Sequence, residues 1–307
     1  MTSIQIKRCV MKRRTFIKKS SYIVFGVSVF GSICWKDGKF IGDTPTTTDI
    51  LGPFYRPNAP MKSNINPKEF KGERLYLSGI VYKEDGKTPY ENCMVEVWQC
   101  DGQANYDNLT EEFNYRGKQL TKADGKYRFI TVQPVPYKPN PKRDYYRPAH
   151  IHMRVSGVEQ QDLITQIYFK GDPHINEDGT ANAPEAINRI LDIKKTTKGE
   201  NEVVFNITMK REFAPDNSVF EKICGLYKMN TKGYFEFYRE GDLLMLKWDG
   251  QIWEGFKYKG ENEFFGGSGS QEAIAKFELQ PNMNVKVIMT YNNDTTNPIE
   301  GIKIIKY

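Results

Sequence analysis

Histidine is scarce in this chain: there are three in 307 residues, His150, His152 and His174. Two of them fall within three positions of each other, so that stretch is where the chemistry is sought. Cysteine is little used as well. Cys9, Cys34, Cys93, Cys100 and Cys224 contain no Cys-x-x-Cys pair, so neither a disulfide framework nor a zinc ribbon is implied. Cys93 and Cys100 share one expected strand, along which they lie too far apart to be bridged. No apolar run has the length of a comfortable membrane span, and no long amphipathic helical repeat is present. The net charge of +6 comes largely from Lys7, Arg8, Lys12, Arg13, Arg14, Lys18 and Lys19. The remainder is close to neutral, which gives no nucleic-acid footprint and no nucleic-acid partner.

The basic run is followed by a short apolar stretch, residues 22–33. Its length suits the hydrophobic part of an export signal and not a membrane helix. Residues 12–18, with Arg13 and Arg14 paired and Phe16 close behind, resemble a bacterial twin-arginine signal, an address read by a receptor. Residues 1–40 are therefore expected to be a leader. The protein is expected in the periplasm or cell envelope, with no membrane association beyond the signal. Ile33 stands before Cys34 where a lipoprotein signal usually carries a small residue, so a lipid anchor is not expected.

What is abundant is aromatic residues, at 13%, with Gly and Pro scattered between short alternating runs. That favours an all-β protein. Residues 44–57 are rich in Pro and Thr and read as an extended arm. Alternation then predicts strands near 75–82, 93–99, 126–131, 150–155, 163–169 and 202–209, with turns at Asp85-Gly86 and Asp124-Gly125. This spacing argues for a β-sandwich over residues 41–212. A short helix is expected at 184–193; the stretch 210–218 is charged and contains Pro215, and residues 213–218 of it are read as a linker. Residues 219–307 show six further short runs and predict a small antiparallel β-barrel or sandwich. That segment has no histidine and reads as an accessory module, removable without loss of activity.

The pair His150 and His152 lies in an expected strand, so both imidazoles project from one face while Ile151, Met153 and Val155 project from the other. Two imidazoles on one strand face offer two nitrogens to one metal ion. Upstream, Pro134, Pro136, Pro139 and Pro141 stiffen the loop that presents Tyr137, and Tyr106 lies in the loop after the strand ending at Gln99. Tyr115 lies near Tyr106 and is an alternative to it; Tyr145 and Tyr146 read as pocket lining, and His174 as a solvated loop residue.

Trp98-Gln99 with Tyr106, the turn at 121–129, Pro136-Tyr137, the run 147–152 and the run 165–173 occur in an order that resembles the intradiol ring-cleavage dioxygenases. The resemblance spans roughly residues 44–210. The arm motifs Thr44-Pro45 and 52–55 are similar to the protocatechuate branch, while the helical dimerisation region of catechol dioxygenases is missing. The resemblance implies a non-haem Fe(III) cofactor held by Tyr106, Tyr137, His150 and His152. It implies O2-dependent opening of a catechol between its hydroxylated carbons to a muconate-type diacid, in the catabolism of aromatic compounds. Tyr106 would be the ligand that swings away and Tyr137 the one that stays. Arg147 would stabilise charge on the ring, with Gln166 as its partner, and Gly52, Pro53 and Tyr55 would border the substrate. Partners are then a catechol and O2, with a homo-oligomer open.

Two other readings remain. A cupin-like site also uses His-x-His but needs another histidine and a carboxylate, and only His174 is left. A non-catalytic sandwich that binds carbohydrate or peptide would hold no iron and show no colour.

Overall fold

The structure is a computed structural model. It describes the backbone of residues 23–28, 31–36 and 39–42, and residues 45–306 apart from 159, 211–214, 232, 282–283 and 293. The paired arginines of the expected leader lie outside the described residues. Within the stretch expected to be leader, β1 (Ile23–Ser28), β2 (Gly31–Lys36) and β3 (Lys39–Gly42) pair as an antiparallel meander. No helix among the described residues is long and apolar enough to cross a membrane.

Two sheets face each other in the first domain. The strands in chain order are β4 (Arg74–Tyr82), β5 (Met94–Trp98), β6 (Arg116–Leu120), β7 (Lys126–Val132), β8 (His150–Gly157), β9 (Gln160–Phe169), β10 (Ile190–Leu191), β11 (Lys194–Lys195), β12 (Asn201–Val204) and β13 (Ile207–Thr208). One sheet runs β10-β9-β8-β5-β6; in the other, β4 takes β12 and β13 on one side and β7 on the other. Alternation built the core: Leu75, Leu77 and Val81 of β4 are buried and their neighbours are not. They meet Val95, Val97, Ile151, Met153 and Val155 from the facing sheet, and Phe129 of the neighbouring β7 joins the same core. Gly125 sits at φ +67 in the turn into β7, and a Cβ there would lie 2.6 Å from the Val81 carbonyl, so only glycine fits that turn.

The second domain is a closed barrel of eight strands in sequential order: β14 (Gly225–Met229), β15 (Tyr234–Glu240), β16 (Leu243–Trp248), β17 (Gln251–Gly260), β18 (Glu263–Gly266), β19 (Ala273–Leu279), β20 (Val285–Tyr291) and β21 (Asp294–Lys306). Antiparallel pairing of β14 with β21 closes it, which removes the exposed edges an open sheet would leave. Tyr227, Phe235, Phe237, Phe256, Phe264 and Phe277 fill the inside, and helix α1 (Asn217–Ile223) adds Phe220 and Ile223 to that core. Its interior is packed by side chains.

Some local expectations are corrected. The helix expected at 184–193 is a 3-10 helix confined to Pro184–Arg189, and the expected linker already contains the start of α1. The strand expected at 202–209 is broken, because the Asn206 side chain takes the bond from the Ile80 amide, 3.0 Å, where a ladder carbonyl would stand. Strands β6, β18 and β21 were not anticipated; β6 begins at the buried Arg116 and carries Gly117 and Lys118, so it lacks apolar alternation.

Candidate active site

Strand β8 is buried on both faces. Ile151, Met153 and Val155 enter the sandwich core, while His150, His152 and Arg154 lie on the opposite face. Ladder register sets what stands beside each one. Trp98, His152 and Gln166 form one row across β5, β8 and β9; Glu96, Arg154 and Ile164 form the next, and Tyr168 is opposite His150. The Trp98 and His152 rings stack at 4.9 Å and 7°. His150 Nδ1 donates to the Pro148 carbonyl at 2.6 Å, which fixes the tautomer and leaves Nε2 with its lone pair. Among the described residues His152 Nδ1 is buried without a partner, and the stack on Trp98 helps hold that ring.

Tyr137 and Arg147 form an isolated antiparallel bridge. Each amide donates to the other's carbonyl, at 3.1 and 2.8 Å, so the proline-rich loop is pinned at the residue whose side chain enters the site. Tyr106 is held by two turns built on aspartates. Asp101 Oδ1 accepts the amides of Gln103 and Asn105, and Asp107 accepts those of Leu109, Thr110 and Asn114.

The four expected ligands converge. His150 Nε2 stands 3.2 Å from His152 Nε2 and 3.4 Å from the Tyr106 hydroxyl, and the Tyr137 ring is 5.4 Å from that of Tyr106 and 5.5 Å from that of His150. Two ligands each about 2.0–2.1 Å from one ion and subtending 90–109° lie roughly 3 Å apart, so the spacing of these donor atoms fits a shared ion. Electrostatics fits too. Burial, assisted by the Arg147 charge, lowers the His150 pKa to about 3, so its ring is neutral as a ligand must be. Burial also lowers that of His152 and raises those of Tyr106 and Tyr137, so the phenols ionise only if a cation stands beside them. Among the described residues there is no cluster of three or more His, Cys, Asp or Glu to hold a metal ion. A metal in this chain has phenols and imidazoles to choose from, a set that suits iron. Tyr115 lies instead under the Tyr106 loop, bonded through its backbone to Gln99 and Ile65.

Arg147 is buried beside these donors. Its Nε donates to Asp178 Oδ2 at 2.8 Å; Nη2 donates to Gln166 Oε1 at 3.1 Å, the Tyr168 hydroxyl at 3.2 Å and Thr180 Oγ1 at 2.9 Å. Burial alone would lower its pKa, but Tyr168 and Asp178 outweigh that and hold it charged. Gln166 donates onward to the Ile50 carbonyl at 2.7 Å. The Tyr145 hydroxyl donates to the same Asp178 oxygen at 2.8 Å, whereas Tyr146 stacks on His174 at 4.7 Å.

The arm lies directly over the donors. Gly52 has φ +75, and a Cβ there would come 3.1 Å from His152 Cε1. The Phe54 ring stacks on Tyr106 at 4.2 Å and stands edge-on to Tyr137 at 6.0 Å. Tyr55, expected beside the substrate, faces away: a turn at Pro53 and Phe54 sends Phe54 to the site and Tyr55 to Glu240, to which its hydroxyl donates at 2.7 Å. Pro53 contributes its carbonyl to Gln251 at 2.9 Å. Sequence reasoning passed over Phe54 and Arg116. The Arg116 guanidinium is buried and donates to the carbonyls of Phe54, 2.5 Å, and Asp107, 2.7 Å, joining the arm to the Tyr106 loop. A lone Arg at the head of a polar strand carries no pattern that would have singled it out.

Comparison with known proteins gives a consistent result. The family model described as Dioxygenase matches residues 50–211. A catechol 1,2-dioxygenase of Acinetobacter lwoffii is 38% identical over 154 residues, covering 45% of this chain and 55% of its own length. An intradiol ring-cleavage dioxygenase of Aspergillus niger is 29% identical over 220 residues, 62% of this chain and 69% of that protein. The crystal structure of catechol 1,2-dioxygenase from Pseudomonas arvilla superposes with a TM-score of 0.50 at 26% identity, over 56% of this chain and 64% of that one. The chain thus spans little more than half the length of the Acinetobacter relative.

Proposed function

The chain belongs to the intradiol ring-cleavage dioxygenase family, and on that premise we propose that it opens a catecholic ring with O2, between the hydroxyl-bearing carbons, to a muconate-type diacid. The observation that carries the reading is the convergence of two imidazoles and two phenols within one buried space. Iron(III) would be held by Tyr106, Tyr137, His150 and His152, and when bound it supplies the electrophilic, redox-active centre that activates the catechol toward O2.

The residues of the chain do the rest. Loading the site requires both phenol protons to leave, because burial holds them on at neutral pH, so binding releases protons. Tyr106 belongs to a loop that lines an open cleft of about 800 Å³, while the Tyr137 backbone is pinned through its bridge to Arg147. That asymmetry supports Tyr106 as the ligand that yields its place. Arg147, kept charged by Asp178, supplies a fixed positive potential where the ring gains negative charge, and costs no reorganisation when it does. Phe54 and Trp98 keep water from the donors and so strengthen that potential.

The test is to load the purified chain with iron and add a panel of catechols. The reading expects a burgundy protein and oxygen uptake; a colourless protein, or one that takes up no oxygen, would contradict it. Export is part of the same proposal, resting on the paired arginines and the apolar run after them. Cell fractionation with and without Arg13 and Arg14 replaced by Lys tests it.

A further inference from the structure

The face of the sheet that carries His150, His152 and Arg154 is covered by the arm, and the arm is covered by the barrel. Three barrel side chains reach three alternate residues of the arm. Glu254 Oε1 accepts the Leu51 amide at 2.9 Å, Gln251 Nε2 donates to the Pro53 carbonyl at 2.9 Å, and Glu240 Oε1 accepts the Tyr55 hydroxyl at 2.7 Å. The residues between them face the donors: Gly52 abuts His152 and Phe54 lies on Tyr106. Leu243 and Met245 of β16 complete an apolar cluster with Leu51, Tyr55, Trp98 and Ile164, and Trp98 is the ring that stacks on His152. Arg154, one alternate position along β8 from His152, also donates to the Glu240 carbonyl at 3.1 Å.

We propose that the C-terminal barrel is part of the active site: Glu254, Gln251 and Glu240 are positioning residues that set the arm, and through it Phe54 and Gly52, against the metal ligands and the substrate face. The proposal stands against the expectation that residues 219–307 are a removable accessory. It rests on the catalytic reading above. Glu254 acts most directly, because its carboxyl group is buried and also accepts the Gly255 amide at 2.9 Å, so one oxygen ties the barrel backbone to the arm backbone. Gln251 is exposed, and its removal deletes one bond while leaving the barrel core untouched.

The test uses the full chain and the variants Glu254→Ala, Glu254→Gln and Gln251→Ala. Two readouts are taken: amide hydrogen exchange across residues 49–55 in metal-free protein, and KM against kcat for a turned-over catechol. A buried side-chain oxygen that accepts an amide holds its donor well, so Glu254→Ala should speed exchange at Leu51 roughly tenfold while the barrel ladder keeps its protection. KM should rise several-fold with a smaller change in kcat. Glu254→Gln keeps a carbonyl acceptor and should restore both. Gln251→Ala should move both readouts the same way by less, and it decides the matter if Glu254→Ala loses barrel protection altogether. Wild-type exchange in the arm of both alanine variants, or a loosened arm with wild-type KM, would overturn the proposal. If the wild-type chain turns over no catechol, that counts against the catalytic reading, and arm exchange alone then judges the positioning.

Discussion

Arg147 Nε and Asp178 Oδ2 are joined at 2.8 Å in a place that neither side chain leaves for solvent. Asp178 would be pushed up by burial, yet the Arg147 charge and the bonds from Arg147, Ala181 and Thr180 hold its carboxyl well below the usual range. Its folded pKa is depressed, so its contribution to stability is present above the ordinary carboxylate pKa near 4 and is lost as pH falls below it. Asp178→Asn leaves a buried guanidinium unpaired and should cost about 3–5 kcal/mol. Urea unfolding at pH 7 and pH 3 checks this: the wild-type chain should lose more on acidification than the variant does.

Arg147→Gln removes the charge itself. If the guanidinium stabilises charge on the ring, kcat on a confirmed catechol should fall on the order of 10²–10³ while the iron stays bound. A surface-like ion pair, worth about 0–1 kcal/mol, would leave turnover near normal. Steady-state kinetics beside elemental analysis separates the two.

For the donors, Tyr137→Phe and His152→Ala should each abolish stable iron binding, since each removes one of the four proposed ligands. Tyr106→Phe should weaken binding less, because its loop lines an open cleft whereas Tyr137 is pinned by a two-bond backbone bridge to Arg147. Iron content after desalting is the measurement.

Much of this site was legible because periodicity and motif order report on it directly. His150 and His152 two apart on a strand must share a face, and Tyr137 among prolines is rigidly presented. What stayed hidden depends on distant contacts. Nothing local in 51–55 tells that Gly52 must lie against His152, or that Phe54 and not Tyr55 turns inward; those directions come from a turn and from bonds to Glu240, Gln251 and Glu254, some two hundred residues away. The number of barrel strands was undercounted for a similar reason, since β18 is four residues long and β21 is punctuated by Pro298 and Gly301.

Gly52→Ala puts a methyl group at φ +75, 3.1 Å from His152 Cε1. The backbone penalty alone is about 1–2 kcal/mol, and either the arm or the imidazole must move. Thermal unfolding should show the loss, and iron affinity should fall with it; an unchanged affinity would mean that the arm alone gives way.

Glu254 predicts a pH dependence of opposite sign to that of Asp178. Burial raises its pKa to about 8, with Asp49 adding to the shift, although the amides of Leu51 and Gly255 oppose it. A raised folded pKa means that the folded protein holds the proton longer, so this stabilisation is complete below pH 4 and is lost as pH rises toward 8. Glu254 in turn helps to raise the pKa of Tyr291. The Glu254→Gln chain should lose less stability than wild type between pH 5 and pH 9, measured by thermal melts across that range.

Deleting residues 219–307 strips Leu243 and Met245 from the cluster with Leu51, Tyr55, Trp98 and Ile164. Each buried side chain of this kind is worth about 1.5–3 kcal/mol, and the uncovered face is apolar. The truncated chain should aggregate or bind a hydrophobic dye, and light scattering at matched concentration checks it.

The central claim is cleavage between the two hydroxylated carbons with both atoms of one O2 retained. Turnover of a confirmed catechol by the iron-loaded chain under ¹⁸O₂, with mass analysis of the product, tests it most directly. The account predicts a ring-opened diacid carrying two labelled oxygens, one label in each new carboxyl group. A semialdehyde product, or a quinone with no label, would contradict it.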